Sequence, residues 1–257
     1  MKRKPRTVIV TGAAGTIGSA ISRAFAENGD FVAVVDLDGE RATRTAGNIS
    51  GETGGEAAGF GMDVTDEHEI RRLVQHLTSE RGGVDVVVNN AGLQHIAPVE
   101  DFPTDRWNHL LNVMLTAPFL LIKHAVPVMK RQGFGRIINI ASVHGRTASP
   151  YKAAYISAKH GLVGLTRTVA LETAEHGITC NAVMPGVVDT PLVRNQLRKL
   201  SEADGISEEE ALHKHLLHKQ ALKRFIKPEE IAGCCLWLAS ETAASVTGEA
   251  IGVSGGW

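Results

Sequence analysis

The sequence predicts an α/β fold in which a doubly wound parallel sheet of about seven strands is covered by helices on both faces. Three observations lead to this prediction. Short apolar runs, many of them β-branched, alternate along the chain with segments of helical periodicity. Polar residues and glycines come directly after these runs, where the strands of a parallel sheet would end. The 257 residues are 43% apolar, which is enough for one substantial core.

The elements follow one another without an internal repeat or a low-complexity linker. Apolar runs predict strands at 7–10, 31–36, 58–64, 84–92, up to Ser142, at 177–186 and at 249–255. Helical patterns follow the first glycine turn, cover 70–77, 104–130 and the region of Tyr155, and return at 228–240. A charged, helix-prone segment at about 191–227 breaks the alternation, and we expect it to be a lid inserted in a single domain over 1–257.

The balance of charge argues against nucleic acid as a partner. The chain has 27 basic and 28 acidic residues, whereas binding to phosphates needs clustered positive charge. The basic start, MKRKPR, has too few apolar residues after it for a signal peptide, and no run reaches the ~18 apolar residues that span a bilayer. We therefore expect a soluble, cytoplasmic protein that does not bind membranes.

Neither the cysteines nor the histidines predict a metal site. Cys180, Cys234 and Cys235 have no spacing typical of a disulfide framework or of metal ligands. The HKHLLHK run at 213–219 would need a further ligand, so we interpret it as a solvated helical face.

A glycine turn, TGAAGTIG at 11–18, lies between the first strand and the first helix. Glycines let the backbone approach a pyrophosphate, and the N–H groups at a helix start attract its charge, as in Rossmann-type folds. The second strand ends in Asp36, which can accept hydrogen bonds from an adenosine ribose and would repel a 2′-phosphate. NAD is therefore favoured over NADP, although Arg41 and Arg44 lie nearby.

Ser142, Tyr155 and Lys159 have spacings that suit proton transfer. Ser142 ends an apolar run, and Tyr155 and Lys159 are four residues apart on one helix face. A phenol titrates near ~10 and is a poor base unless a neighbouring cation favours the phenolate. Each residue alone is more often structural. Together they predict general acid–base catalysis on an alcohol, with the hydride passing to a bound cofactor.

Over essentially the whole chain, these residues resemble the short-chain dehydrogenase/reductases. The matching motifs are the glycine turn, Asp36, Asp63-Val64, NNAG at 89–92, Ser142 with Tyr155-x-x-x-Lys159, and PG-x-x-x-T at 185–190. Within that family, the segments 89–103 and 135–161 and the terminal GGW look like the NAD-dependent D-3-hydroxybutyrate dehydrogenases. Those enzymes interconvert (R)-3-hydroxybutyrate and acetoacetate, and family members are commonly tetramers.

The resemblance implies a role for each matching residue. Tyr155 would be the acid/base, Lys159 would lower its pKa and bind the nicotinamide ribose, and Ser142 would orient the substrate oxygen. Contacts to NAD are expected from Gly12, Thr16, Ile17, Gly18, Asp36, Asp63, Val64, Asn90, Gly92, Tyr155, Lys159, Pro185, Val188 and Thr190.

The substrate side follows the same resemblance and also has a physical reason. A small hydroxy acid needs its carboxylate neutralised, because an unpaired charge in a dry pocket is costly. Lys152, His144, Gln94 and Gln196 offer a cation, a titratable ring and two amides at matching positions. With Ser142, Tyr155 and Trp257, they form the expected substrate site.

Three positions depart from the family pattern and keep alternatives open. Thr16 replaces a glycine of the turn, Met114 lies where the active-site Asn is usual, and Val187 lies where the closest subfamily often has a bulky aromatic residue. The alternatives are a dehydrogenase of the same fold acting on another alcohol, such as a longer hydroxy acid, a sugar or an acyl-thioester, and an NAD-binding scaffold without turnover.

Overall fold

The computed structural model describes residues 5–257. The basic residues 1–4, part of the run on which the absence of a signal peptide was judged, lie outside the described residues.

One parallel sheet of seven strands organises this described part of the chain, which confirms the predicted fold class. The order across the sheet is β3-β2-β1-β4-β5-β6-β7. Strand order therefore reverses between β1 and β4, which opens a crevice at their carboxyl ends. The strands are β1 Thr7–Thr11, β2 Phe31–Asp36, β3 Glu56–Gly61, β4 Val86–Asn89, β5 Gly135–Ile140, β6 Ile178–Pro185 and β7 Ala250–Val253.

The third and fourth strands differ most from their predicted bounds. β3 begins and ends earlier than the run at 58–64, because Gly61 and not Val64 is its last paired residue. β4 pairs over only four residues of the run at 84–92, since the NNAG segment leaves the sheet after Asn89.

Nine α-helices connect the strands within residues 5–257. They are α1 Thr16–Glu27, α2 Gly39–Thr53, α3 Glu67–Arg81, α4 Thr104–Leu111, α5 Ala117–Gln132, α6 Ala153–Thr173, α7 Pro191–Asp204, α8 Glu208–Ala211 and α9 Pro228–Leu238. Local chemistry explains several ends: Asp38 and Asp66 accept the first N–H groups of α2 and α3, and Gly54 and Gly82 end these helices with positive φ.

The sheet buries both faces, as its near-continuous apolar strands require. Alternate residues of one strand point to opposite sides, so Val8 and Val10 belong to one core and Ile9 to the other. The first core packs against α1, α2 and α9, and the second against α3, α5 and α6.

A ladder of polar side chains crosses the sheet interior. The Asn89 carboxamide donates to Asn139 Oδ1 at 2.8 Å, and Asn139 Nδ2 donates to Thr166 Oγ1 at 2.9 Å. Thr166 in turn donates to the main-chain oxygen of Leu162 at 2.7 Å. The ladder joins β4 and β5 to α6, the helix that carries Tyr155 and Lys159, and its buried amides are satisfied.

Helices α4 and α5 join through a π-helical turn, Asn112–Thr116, into one long helical segment. By length and composition alone, Thr104–Gln132 could cross a membrane, because its most apolar 18-residue window has a mean hydropathy of 1.4. A core helix passes the same test, and 44% of the apolar window is buried inside the protein. We had not expected a segment that meets this criterion.

Candidate active site

A cleft of about 520 Å³ opens at the carboxyl ends of the strands. It brings together every residue for which a cofactor contact was expected, and Ser142, Tyr155 and Lys159 line it as well. Its lining also includes residues that the sequence did not single out, among them Leu37, Leu93, His109, Leu192 and Val193. No motif marked these positions, because each depends on how a loop or helix face meets the sheet.

The glycine turn leaves room for close backbone contacts. Gly12 has φ +60°, and a Cβ at this residue would lie 2.9 Å from Ala91 Cα. A Cβ at Gly18 would lie 2.4 Å from the main-chain oxygen of Gly12. The Asn90 carboxamide fixes the turn by donating to the main-chain oxygens of Thr11 at 2.9 Å and Gly12 at 3.1 Å.

Helix α1 begins at Thr16 and directs its amino terminus to this cleft. Its cap residue is Gly15, no side chain caps the first turn, and that turn contains no acidic residue. Main-chain N–H groups and the positive end of the helix dipole therefore remain for an anion. Thr16 lines the cleft directly after Gly15.

Asp36 lies at the end of β2, beside the turn. Its carboxylate accepts the N–H of Ala14 at 3.1 Å, so it is held at the cleft edge. Arg41 donates to the main-chain oxygen of Ala14 at 2.9 Å and also lines the cleft. An acid that suits a ribose and a guanidinium that would suit a phosphate thus lie on the same edge.

The three candidate catalytic residues meet at the end of β5. Ser142 caps the 3-10 turn Val143–Gly145, where its hydroxyl accepts the N–H of His144 at 3.2 Å. Lys159 reaches from α6 and donates to the main-chain oxygen of Ile140 at 2.7 Å. The Lys159 Nζ atom lies 5.7 Å from the centre of the Tyr155 ring.

Burial shifts the titration of both groups on α6. It raises the pKa of Tyr155, and a hydrogen bond with Ser142 acts in the opposite direction. Burial lowers the pKa of Lys159 to about 8. In the protein alone, then, desolvation favours the neutral phenol, and the lowering of the Tyr155 pKa by Lys159 stays a prediction for the cofactor complex.

His144 connects the catalytic residues to the expected substrate side. Its ring lies 6.2 Å from the Tyr155 ring and 5.7 Å from the Trp257 ring, nearly perpendicular to both. Burial, with a smaller contribution from Lys152, lowers the pKa of His144 to about 4. The imidazole is therefore neutral at physiological pH and offers a hydrogen bond without a charge.

Other polar groups of the expected substrate side are at least partly buried. Burial lowers the pKa of Lys152, which precedes α6. Within residues 5–257, three buried polar side-chain atoms on the segments of this side have no hydrogen-bond partner: Gln94 Nε2, Ser149 Oγ and Trp257 Nε1. Two of these three atoms belong to expected substrate residues, Gln94 and Trp257.

Five of the expected substrate residues do not line the 520 Å³ cleft itself: Gln94, His144, Lys152, Gln196 and Trp257. Gln196 is half-buried on α7, and its role stays a prediction.

The backbone before Lys152 is strained. Tyr151 has φ +68°, alone among the non-glycine residues from 5 to 257, and its main-chain oxygen accepts the N–H of Ala97 at 3.1 Å. Strain of this kind persists where surrounding contacts hold it, often at functional sites.

The three departures from the family pattern have distinct surroundings. Met114 is fully buried in the π-helical turn, and a Cβ at Gly92 would lie 3.7 Å from its sulfur. Val187 is buried under α7 and packs in an apolar cluster with Leu197 and Trp257. Its N–H donates at 3.2 Å to Gln220, a fully buried residue that sequence reasoning missed because it lies in a segment with several charged residues.

Comparisons with known proteins cover nearly the whole chain. A family model described as enoyl-(acyl carrier protein) reductase matches residues 12–257. An uncharacterized oxidoreductase of Bacillus subtilis, YxjF, is 47% identical over 99% of this chain and 98% of its own. A D-beta-hydroxybutyrate dehydrogenase of Rhizobium meliloti is 41% identical over 98% of each chain. The crystal structure of an NAD+-bound xylitol dehydrogenase superposes with a TM-score of 0.90 at 29% identity, covering 99% of this chain and 100% of that one.

Proposed function

We propose, because this chain belongs to the short-chain dehydrogenase/reductase family of oxidoreductases, that it interconverts (R)-3-hydroxybutyrate and acetoacetate with NAD. The observation that carries this proposal is a group of polar side chains, buried His144 and partly buried Lys152 and Gln94, on the segments next to the Ser142–Tyr155–Lys159 site. A cation with neutral donors beside an acid/base suits an alcohol that also has a carboxylate.

The chain's own residues fit a nicotinamide dinucleotide. The uncapped start of α1 and the close packing at Gly12 suit the pyrophosphate, and Asp36 suits the adenosine ribose. We assign the nicotinamide end to Lys159, Pro185, Val188 and Thr190, which line the same cleft. When bound, the cofactor accepts the hydride that the alcohol carbon gives up.

Proton transfer falls to the residues at the end of β5. Ser142 holds the substrate oxygen, and Tyr155 takes the hydroxyl proton during oxidation and returns it during reduction. The Lys159 ammonium, 5.7 Å from the phenol ring, favours the phenolate by its charge. Because burial raises the pKa of Tyr155 in the protein alone, oxidation should accelerate as pH rises.

NAD is proposed over NADP because Asp36 would repel a 2′-phosphate. Arg41, on the same edge, works against that preference without reversing it, since its guanidinium is already bonded to the Ala14 main chain.

Three further proposals come from the same family membership. The segment at about 191–227, which includes α7 and α8, would act as a lid over the single domain. Large apolar side chains exposed on helices, Phe119, Leu171 and Trp237, support assembly into a homotetramer. Light scattering on the purified protein tests the tetramer, and a molar mass of one chain would exclude it.

The third proposal is a cytoplasmic location.

A longer 3-hydroxy acid is the second candidate substrate, and Val187 favours it. A valine at this position leaves more room above the substrate than an aromatic side chain would.

The test is the initial rate of NADH formation from NAD with (R)-3-hydroxybutyrate, its (S) enantiomer and a longer 3-hydroxy acid. Turnover restricted to the (R) four-carbon acid supports the proposal, and preference for the longer acid supports the second candidate. If all three are silent while NAD binds, the protein acts on another alcohol, or Met114 and Thr16 belong to a scaffold without turnover.

A further inference from the structure

We propose that Arg146 is a positioning residue that holds Trp257 over the substrate pocket and so sets how closely the pocket fits a short hydroxy acid. The inference rests on the proposed function, because it concerns the same site.

Arg146 connects two remote segments of the chain. It directly follows the 3-10 turn that carries His144, and its N–H donates to the main-chain oxygen of Val143 at 3.1 Å. The exposed guanidinium reaches across to the segment after β7, where its Nη2 donates to the main-chain oxygen of Trp257. A Cβ at Gly252, in β7, would lie 3.7 Å from the same Nη2, so the guanidinium extends along the end of the sheet.

Trp257 contacts both the fixed wall of the pocket and the lid. Its ring lies 5.7 Å from the ring of His144, which in turn faces Tyr155. The indole also packs against the apolar cluster of Val187, Leu197 and Leu217. The indole Nε1 is buried and has no hydrogen-bond partner among residues 5–257.

The segment that carries Trp257 also supports the base of the lid. Gly255 accepts the N–H of Leu222 at 2.8 Å. Gln220, two residues before Leu222, accepts the N–H of Val187 at 3.2 Å and donates to the main-chain oxygens of Leu222 and Arg224 at 2.7 and 2.6 Å. A shift of Trp257 is therefore expected to reach Val187 through main-chain contacts and through the shared cluster.

Besides its ring contacts with His144 and the apolar cluster, Trp257 has few main-chain bonds within the described residues. Its N–H donates to Ser254 at 3.3 Å, a long contact within the same segment. Segments outside regular elements lose order readily unless a distant group ties them down. Arg146 provides that tie from the turn of His144, so the guanidinium fixes the distance between the imidazole and the indole.

The test compares Arg146→Gln, Arg146→Lys and Trp257→Ala with the wild type, and uses Arg72→Gln, an exposed arginine on α3, as the matched control. We expect Arg146→Gln to raise KM for (R)-3-hydroxybutyrate about fivefold, with kcat and the KM for NAD within about twofold. Arg146→Lys should restore part of the loss, and Arg72→Gln should change nothing. Discrimination against a longer 3-hydroxy acid should fall in Arg146→Gln.

A double-mutant cycle separates positioning from a direct effect of the charge. If Arg146 acts through Trp257, Arg146→Gln adds no further change in KM to the Trp257→Ala protein. If the effects of the two substitutions multiply, the guanidinium acts on the substrate independently, and the proposal is wrong.

A readout without turnover keeps the inference separate from the proposed function. In a protein with Trp107→Phe and Trp237→Phe, the remaining indole is Trp257, and Arg146→Gln should shift its emission to the red and increase its quenching by acrylamide. Unchanged emission overturns the inference even if the enzyme is active. A shift with no activity on any hydroxy acid would support the positioning of Trp257 by Arg146, and would reject the proposed function together with the role of this contact in fitting a hydroxy acid.

Discussion

The cofactor end and the substrate end of the active site are built in different ways. At the cofactor end, Gly12, Asp36 and Asn90 lie at or directly after the ends of β1, β2 and β4, so the sheet itself sets their positions. At the substrate end, His144 lies in a 3-10 turn, while Lys152 and Trp257 lie outside regular elements. Contacts between segments remote in sequence, such as Arg146 with Trp257, hold that end together.

The cofactor end makes contacts that do not depend on the substrate, whereas the substrate end determines substrate specificity. A rigid sheet edge presents the same N–H groups and carboxylate to a dinucleotide whatever the substrate is. Loops and turns can change without disturbing the sheet, and they are where specificity is usually carried. We therefore expect substitutions at the two ends to affect different kinetic parameters.

The largest effect should come from the residue where both ends meet. Tyr155→Phe removes the proton-transfer group, so kcat should fall about a thousandfold while NADH binding stays within about twofold. Tyr151→Phe is the control, because Tyr151 is the other tyrosine of the chain and is 58% exposed. The rate is measured with saturating NAD, and turnover within about tenfold of the wild type would contradict the mechanism.

A smaller effect is expected when only the substrate end changes. Lys152→Ala should raise KM for a hydroxy acid about 50-fold and leave a neutral secondary alcohol of equal length unaffected, since only the acid has a charge to pair. Lys123→Ala, on the exposed Lys123–Glu67 ion pair, serves as the control. Equal changes for both substrates would remove the carboxylate assignment.

At the cofactor end, Asp36→Ala should act on the dinucleotide alone. We expect the Kd for NADH to rise about tenfold, because the carboxylate that suits the ribose is lost, and the Kd for NADPH to fall, because the carboxylate no longer repels the 2′-phosphate. Fluorescence titration measures both constants, with Asp101→Asn as the control. A Kd ratio that does not move would show that Asp36 has no part in selecting NAD.

The smallest effect concerns stability. The pKa of His144 falls from 6.5 to about 4 in the folded protein, so the unfolded chain takes up the proton first on acidification. Stability should therefore be retained above pH 6.5 and decrease by about 1–2 kcal/mol between pH 7 and 5. Urea unfolding at both pH values should show that His144→Gln reduces this difference and that His218→Gln, at an exposed position, does not. An identical difference in all three proteins would assign the acid sensitivity to other groups.

The same contrast explains how far sequence reasoning reached. The fold and the position of the cleft followed from strand ends, because a parallel sheet gathers those ends at one edge whatever the loops do. Arg146 and Gln220 could not be found in this way. One is an exposed arginine in a loop and the other a glutamine among charged residues, and each depends on a partner dozens of residues distant or more. The π-helical turn at Met114 carried no pattern of its own, since its residues continue a helical period.

The polar ladder of Asn89, Asn139 and Thr166 has a consequence for recombining this scaffold with its relatives. A chimera with a crossover between residues 89 and 139, or between 139 and 166, would separate donor from acceptor unless both parents have the same side chains. The orphaned carboxamide would then be buried without a partner, which costs about 1–3 kcal/mol. Residues 89–166 therefore form a single exchangeable block, which begins at the last residue of β4 and ends within α6.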